Sequence, residues 1–123
     1  MTTTYTEDPE HKIAELVVDG KVTHEDFNNI ARQLESFIEK HGRIKLIEEI
    51  RTLEGIDASM VWEGVKFDIK NLKHIRHISH CAVVSDIGWL SPISKAAGAF
   101  ISCKIRIFTL DQIDEARAWL QAE

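Results

Sequence analysis

The chain has 123 residues, of which 44% are apolar and 28% charged, and its formal net charge is −5. That length suits a single domain with a real core, and the composition is globular rather than disordered. The acidic excess argues against nucleic acid as a partner, and no run reaches the ~18 apolar residues of a membrane-spanning helix.

The N-terminal Met-Thr-Thr-Thr-Tyr-Thr-Glu-Asp-Pro has no basic region followed by an apolar one and does not read as a signal peptide. One domain is expected over residues 1–123, with residues 1–10 as a tail or an edge strand. Thr2–Thr6 is β-prone and Asp8-Pro9 marks a turn. Lys12–Val18 reads as a strand that stops at Asp19-Gly20. Thr23 then caps a helix with Glu25 and Asp26 in its first turn, where the helix dipole favours acid. Its apolar stripe is Phe27, Ile30, Ala31, Leu34, Phe37 and Ile38, and His41-Gly42 ends it.

Arg43–Ile50 is a second strand, followed by a loop at 51–56 and a helix from Asp57 or Ser59 to about Leu72. Ile78–Val84 and Cys103–Phe108 are further strands, and a helix over 111–120 closes the chain with Ile113, Ala116, Trp119 and Leu120 inward. This alternation predicts an α/β fold with a mostly parallel sheet and right-handed crossovers. In Arg43-Ile44-Lys45-Leu46 and Cys103-Lys104-Ile105-Arg106-Ile107 apolar and basic residues alternate. Strands covered on both faces read as continuous apolar runs, so the helices are expected mainly on one face of the sheet. The other face is expected to be partly wet or used to form a homodimer.

The window from Cys81 to Cys103 holds only two charged side chains, Asp86 and Lys95. Within it, residues 87–101 predict a helix whose small or polar stripe is Gly88, Ser91, Lys95, Gly98 and Ser102. Trp89, Leu90, Ile93, Ala96, Ala97, Phe100 and Ile101 fill the rest, more apolar surface than the ~100° stripe one sheet contact needs. The helix before it repeats the pattern. Ser59, Glu63, Lys66, Lys70, Lys73 and His77 form a polar ridge beside Met60, Val61, Trp62, Val65, Phe67, Ile69 and Leu72. Two facing helices of this kind either seal against each other or enclose an apolar cleft for a hydrophobic or lipid-like ligand. The candidate ligand-binding or membrane-facing residues are Trp62, Val65, Phe67, Ile69, Trp89, Leu90, Ile93 and Phe100. Lys66, Lys70 and Lys73 form a basic ridge suited to anionic lipid, and Pro92 and Gly98 make the later helix easier to bend.

No catalytic constellation assembles, so no enzyme, metal or cofactor is expected. His74, His77 and His80 pass from a helix end into a strand and share no carboxylate. His80 and Cys81 point to opposite strand faces, as do Glu48 and Glu49, which read as surface and edge residues. Cys81 and Cys103 read as buried reduced thiols, and a cytoplasmic location with peripheral contact at the inner membrane face is expected.

Four landmarks carry a resemblance. They are Gly20-x-Val22-Thr23-x-x-Asp26, Trp62 with Lys66-Phe67, Ala82-Val83-Val84 with Trp89, and Phe108 followed by Ala116-x-x-Trp119-Leu120. In that order and spacing the chain resembles the SpoIIAA-like family of small bacterial proteins, relatives of STAS domains, over nearly its whole length. The resemblance implies a βα superhelix with helices on one side of the sheet and kinship of fold with lipid-carrying CRAL-TRIO domains. It supplies a fold more firmly than an activity. STAS-type antagonists of anti-sigma factors carry an Asp-Ser-Ser-Gly loop after the strand equivalent to Arg43–Ile50. Here that loop is Arg-Thr-Leu-Glu-Gly-Ile-Asp-Ala-Ser, with Thr52 and Ser59 as turn or cap residues. His80-Cys81 also replaces an expected basic-aliphatic pair. The resemblance therefore offers, as the alternative to ligand binding, a STAS-like protein–protein regulatory module without the phosphorylatable loop.

Overall fold

The structure, a computed structural model, describes residues 3–21, 23–54, 77–101 and 103–123, and of residues 24, 27 and 97–101 only the backbone. Strand β1 (Thr3–Asp8) turns back on β2 (Ile13–Gly20) as an antiparallel hairpin, with Tyr5 opposite Leu16. Asp8 closes the turn: its carboxylate accepts from the His11 main-chain N–H and lies 2.8 Å from His11 Nδ1. Lys12 takes the left-handed φ of 58° that the reversal needs.

Helix α1 (His24–His41) begins at Thr23 in a reciprocal capping box, in which the Thr23 hydroxyl accepts from Asp26 N–H and the Asp26 carboxylate from Thr23 N–H. It ends at Gly42, whose φ of +83° favours glycine and whose N–H donates to Ile38 O at 2.6 Å. Strand β3 (Ile44–Leu53) pairs in parallel with β2 and with β4 (Ile78–Ser85). Helix α2 (Leu90–Ile101) returns the chain to β5 (Lys104–Phe108), parallel to β4. A 3₁₀ turn, Leu110–Gln112, leads into helix α3 (Ile113–Ala122). The helix predicted over 57–72 lies outside the described residues, and with it Trp62, Val65, Phe67, Ile69, Lys66, Lys70 and Lys73.

The strand order is β1-β2-β3-β4-β5, so the parallel strands advance across the sheet in one direction. Right-handed crossovers then place α1 and α2 on the same face. On that face Phe37 and Ile38 of α1 join Ala14, Leu46, Cys81 and Val83 in one core, with Ile105 and Ile107 packed at its edge. A bulge between Ile44 and Lys45 leaves Ser79 without an opposite residue, which turns Ile78 to the same side as Cys81.

The opposite face is where the structure refines expectation. Helix α3, which follows the last strand and is not a crossover, lies across it. There Ala116 and Leu120 bury completely against Ile13, Ile47, Ala82, Val84 and Phe108. The alternating basic residues serve this contact. Lys45 Nζ donates to Leu120 O at 2.6 Å and to Glu123 O at 2.7 Å, satisfying carbonyls at the helix end. The Arg106 guanidinium lies 5.1 Å from the Phe108 ring centre and 5.9 Å from that of Trp119. A basic-apolar alternation that read as a wet sheet face thus marks one shared between cations and an amphipathic helix.

Glu49 also departs from its surface reading. Strand β3 is central, and Glu49 on the α3 face is 7% exposed, held by Arg51 Nε at 2.7 Å. Nearby, Arg117 of α3 donates through Nη2 and Nε to the two carboxylate oxygens of Glu15. That bidentate contact raises the guanidinium pKa further.

Candidate functional site

The segment from Ser85 to Lys95 holds the described part of the predicted site. Ser85 is buried at the end of β4, where its hydroxyl donates to Ile50 O at 2.7 Å and accepts from Ile87 N–H at 3.1 Å. This pair fixes the sharp exit from the strand, and Leu90 N–H then donates to Ile87 O at 3.2 Å. Asp86 turns the other way and accepts from Leu110 N–H at 3.1 Å, which ties the start of α2 to the lead-in of α3.

Leu90 is buried at 4% exposure, whereas Trp89 and Ile93 are half-buried. Between residues 87 and 96 the exposed positions are Gly88, Pro92 and Lys95. The outer stripe therefore runs through Pro92, with Ser91 half-buried beside it. Pro92 sits in the first turn of α2, where a missing N–H removes no helical hydrogen bond. It shapes the start of the helix rather than a bend within it. The backbone of Phe100 belongs to α2, and its side chain lies outside the described residues. Of the eight predicted apolar site residues, the side chains of Trp89, Leu90 and Ile93 are described, Trp89 in the turn before α2 and Leu90 and Ile93 at the start of the helix.

Cavities among the described residues lie elsewhere. A polar cleft of about 90 Å³ opens between the β1–β3 half of the sheet and α3, beside the Glu15–Arg117 pair, Thr6 and Gln121. A shallow groove of about 310 Å³ runs along the outer surface of α1 past Arg32, Glu35 and Glu39. Both have charged walls, which suits neither to an acyl chain.

The titratable groups give no activated nucleophile among the described residues. Burial pushes the Cys81 thiol well above its ordinary value and the Cys103 thiol up to about 11, with Glu48 adding to both. His80 points to the α3 face, away from Cys81, with Nδ1 2.9 Å from Ser79 Oγ. Of the histidine triplet, His74 lies outside the described residues and His77 is exposed. A different group of possible metal ligands escaped the sequence reading. Asp8, Glu10 and His11 bring ligand atoms within 4.8 Å of one another at the β1–β2 turn. Only the Asp-Pro turn signal pointed there, and hydrogen bonding to His11 already lowers the Asp8 pKa.

With the sheet order and the helix placement established, comparison with known proteins settles the relationship. The SpoIIAA-like family model matches residues 13–121. The chain belongs to the SpoIIAA-like family. Among solved structures, an uncharacterized protein of the DUF3478 family with a SpoIIAA-like fold, from Shewanella loihica PV-4, is similar. It superposes with a TM-score of 0.66 at 18% identity, covering 96% of this chain and 91% of that one. At that identity the likeness concerns the fold. No curated protein matches the chain. No helix among the described residues of this SpoIIAA-like protein is long and apolar enough to cross a membrane.

Proposed function

We propose that this SpoIIAA-like domain is a non-enzymatic binder of a hydrophobic or lipid-like ligand, held between α2 and residues 57–72 and exchanged by peripheral contact with a membrane. The observation that carries this reading is the burial pattern of α2. Leu90 is sealed, Trp89 and Ile93 are half-buried, and the exposed positions within residues 87–96 form the narrow line Gly88, Pro92 and Lys95. Sheet topology supports it as well. Open α/β sheets bind ligands where the strand order reverses, and this order runs from β2 to β5 without reversal. An apolar site is then most readily built between helices. The protonated, buried thiols support the non-enzymatic part of the reading.

The test is native mass spectrometry of the freshly purified chain, together with flotation on vesicles of phosphatidylcholine and phosphatidylglycerol. We expect a retained small molecule and recovery with vesicles, both lost in Trp89→Glu and Phe100→Glu variants that keep the wild-type circular dichroism. A chain with no retained molecule and no flotation overturns the proposal. A stable hetero-complex lost in the same variants would instead establish the regulatory module that the STAS relationship suggests.

A further inference from the structure

The last turn of α3 rests on a group of side chains that the ligand reading does not use. Lys45, His80 and Lys104 occupy matched positions on the adjacent strands β3, β4 and β5, and all face α3. Three basic side chains in one row across a sheet oppose one another when all are charged. The row is tolerable because its members are used differently. Lys45 Nζ is bound to the carbonyls of Leu120 and Glu123 at the helix end. Lys104 is exposed. His80, in the middle, packs edge-on against Trp119 with ring centres 5.7 Å apart, and its Nε2 lies 3.8 Å from Glu123 Oε2.

Among the described residues, four charged groups act on this imidazole. Arg43, Lys45 and Lys104 oppose a proton on it, and the Glu123 carboxylate favours one. Desolvation beneath α3 is the largest influence and also opposes the proton. On balance the neutral ring is the form the docked helix accepts. The Arg106 guanidinium also lies 5.9 Å from the Trp119 ring centre, so the indole already has a cation beside it.

We propose that the last turn of the C-terminal helix is an acid-released clasp, docked on the sheet while His80 is neutral and loosened when His80 takes a proton. The sign follows from linkage. The loosened state binds the proton more readily, so docking is complete above ~6.5, the value for a free histidine, and weakens as pH falls from there toward the lower value of the docked ring. Each unit of separation weakens docking about tenfold.

An NMR titration of the full chain from pH ~8 to ~5 tests this, with the His80 imidazole assigned through His80→Gln. We expect His80 to titrate below ~6.5 and the Trp119 indole N–H to move with the same midpoint. Amide exchange at residues 118–122, corrected for intrinsic rate, should rise several-fold across that transition. In His80→Gln the Trp119 transition should vanish at unchanged fold. Glu123→Gln should move the His80 midpoint down, and Lys104→Gln should move it up. A His80 midpoint at or above ~6.5 overturns the clasp, as does a Trp119 signal and helix exchange indifferent to His80 protonation.

Discussion

At the scale of single residues, the two thiols show how strongly place governs chemistry in this chain. A free thiol with a pKa near ~8.5 is about one-quarter thiolate at pH ~8. Cys103, held up to about 11 by burial, is only ~0.1% thiolate at that pH, and Cys81 is raised as well. Both should therefore resist a disulfide reagent such as DTNB at pH ~8, reacting at least ~100-fold more slowly than after denaturation. Prompt reaction of either thiol in the native chain would contradict the burial described. The same shifts set a pH dependence. The folded chain holds these protons more tightly than the unfolded one, so the stability they contribute is complete below ~8.5. It is lost as pH rises through the window up to about 11 for Cys103. Urea melts between pH ~8 and ~10 should show this loss, and Cys81→Ala with Cys103→Ala should reduce it.

At the scale of elements, helix α1 was legible in full because every signal for it is local. Thr23, the apolar spacing and Gly42 lie within the segment they define; Thr23 caps the helix as expected, and the structure adds the reciprocal bond from Thr23 N–H to the Asp26 carboxylate. Thr23→Ala removes the hydroxyl that accepts from Asp26 N–H and should cost about 1 kcal/mol in chemical denaturation. An unchanged midpoint would mean that the box adds nothing to the fold. The misread elements depended on distant partners. Strand β3 runs past Ile50 to Leu53 because a bulge near Arg51 keeps it paired with Asp19 and Gly20, and Thr52 donates to Asp19 Oδ1 at 2.8 Å. Helix α2 starts at Leu90, later than its apolar run, because Ser85 holds Ile87 in the turn. The basic alternation of β3 and β5 could not reveal its cover, since Trp119 and Leu120 lie far along the chain. Leu120 is fully buried under that cover, so Leu120→Ala should cost ~2–5 kcal/mol, several times the loss at Thr23. Differential scanning calorimetry of the two variants gives the comparison directly.

At the scale of the whole molecule, the apolar surplus that sequence exposed in two segments and the net charge of −5 pull the functional proposal in different directions. A cleft that takes up a hydrophobic ligand works by removing apolar surface from water, which added salt does not weaken. Docking on an anionic bilayer must bring a negatively charged molecule to a negatively charged surface. It therefore depends on the local cations Lys66, Lys70, Lys73 and Lys95, whose attraction is screened beyond ~3 Å at ~1 M salt. The two parts of the proposal should separate under one variable. Between ~0.05 M and ~1 M sodium chloride, binding of a fluorescent fatty-acid probe should stay within about twofold, while recovery on phosphatidylglycerol vesicles falls sharply. Trp89 and Leu90 sharpen the same separation. Leu90, sealed in the fold, should lose ~2–5 kcal/mol of stability on replacement by Ala. Trp89, half-buried at the start of α2, should lose less stability on the same change but most of its probe binding. If Trp89→Ala instead leaves probe binding intact, α2 is packing alone, and the apolar surplus of its sequence is consumed inside the fold.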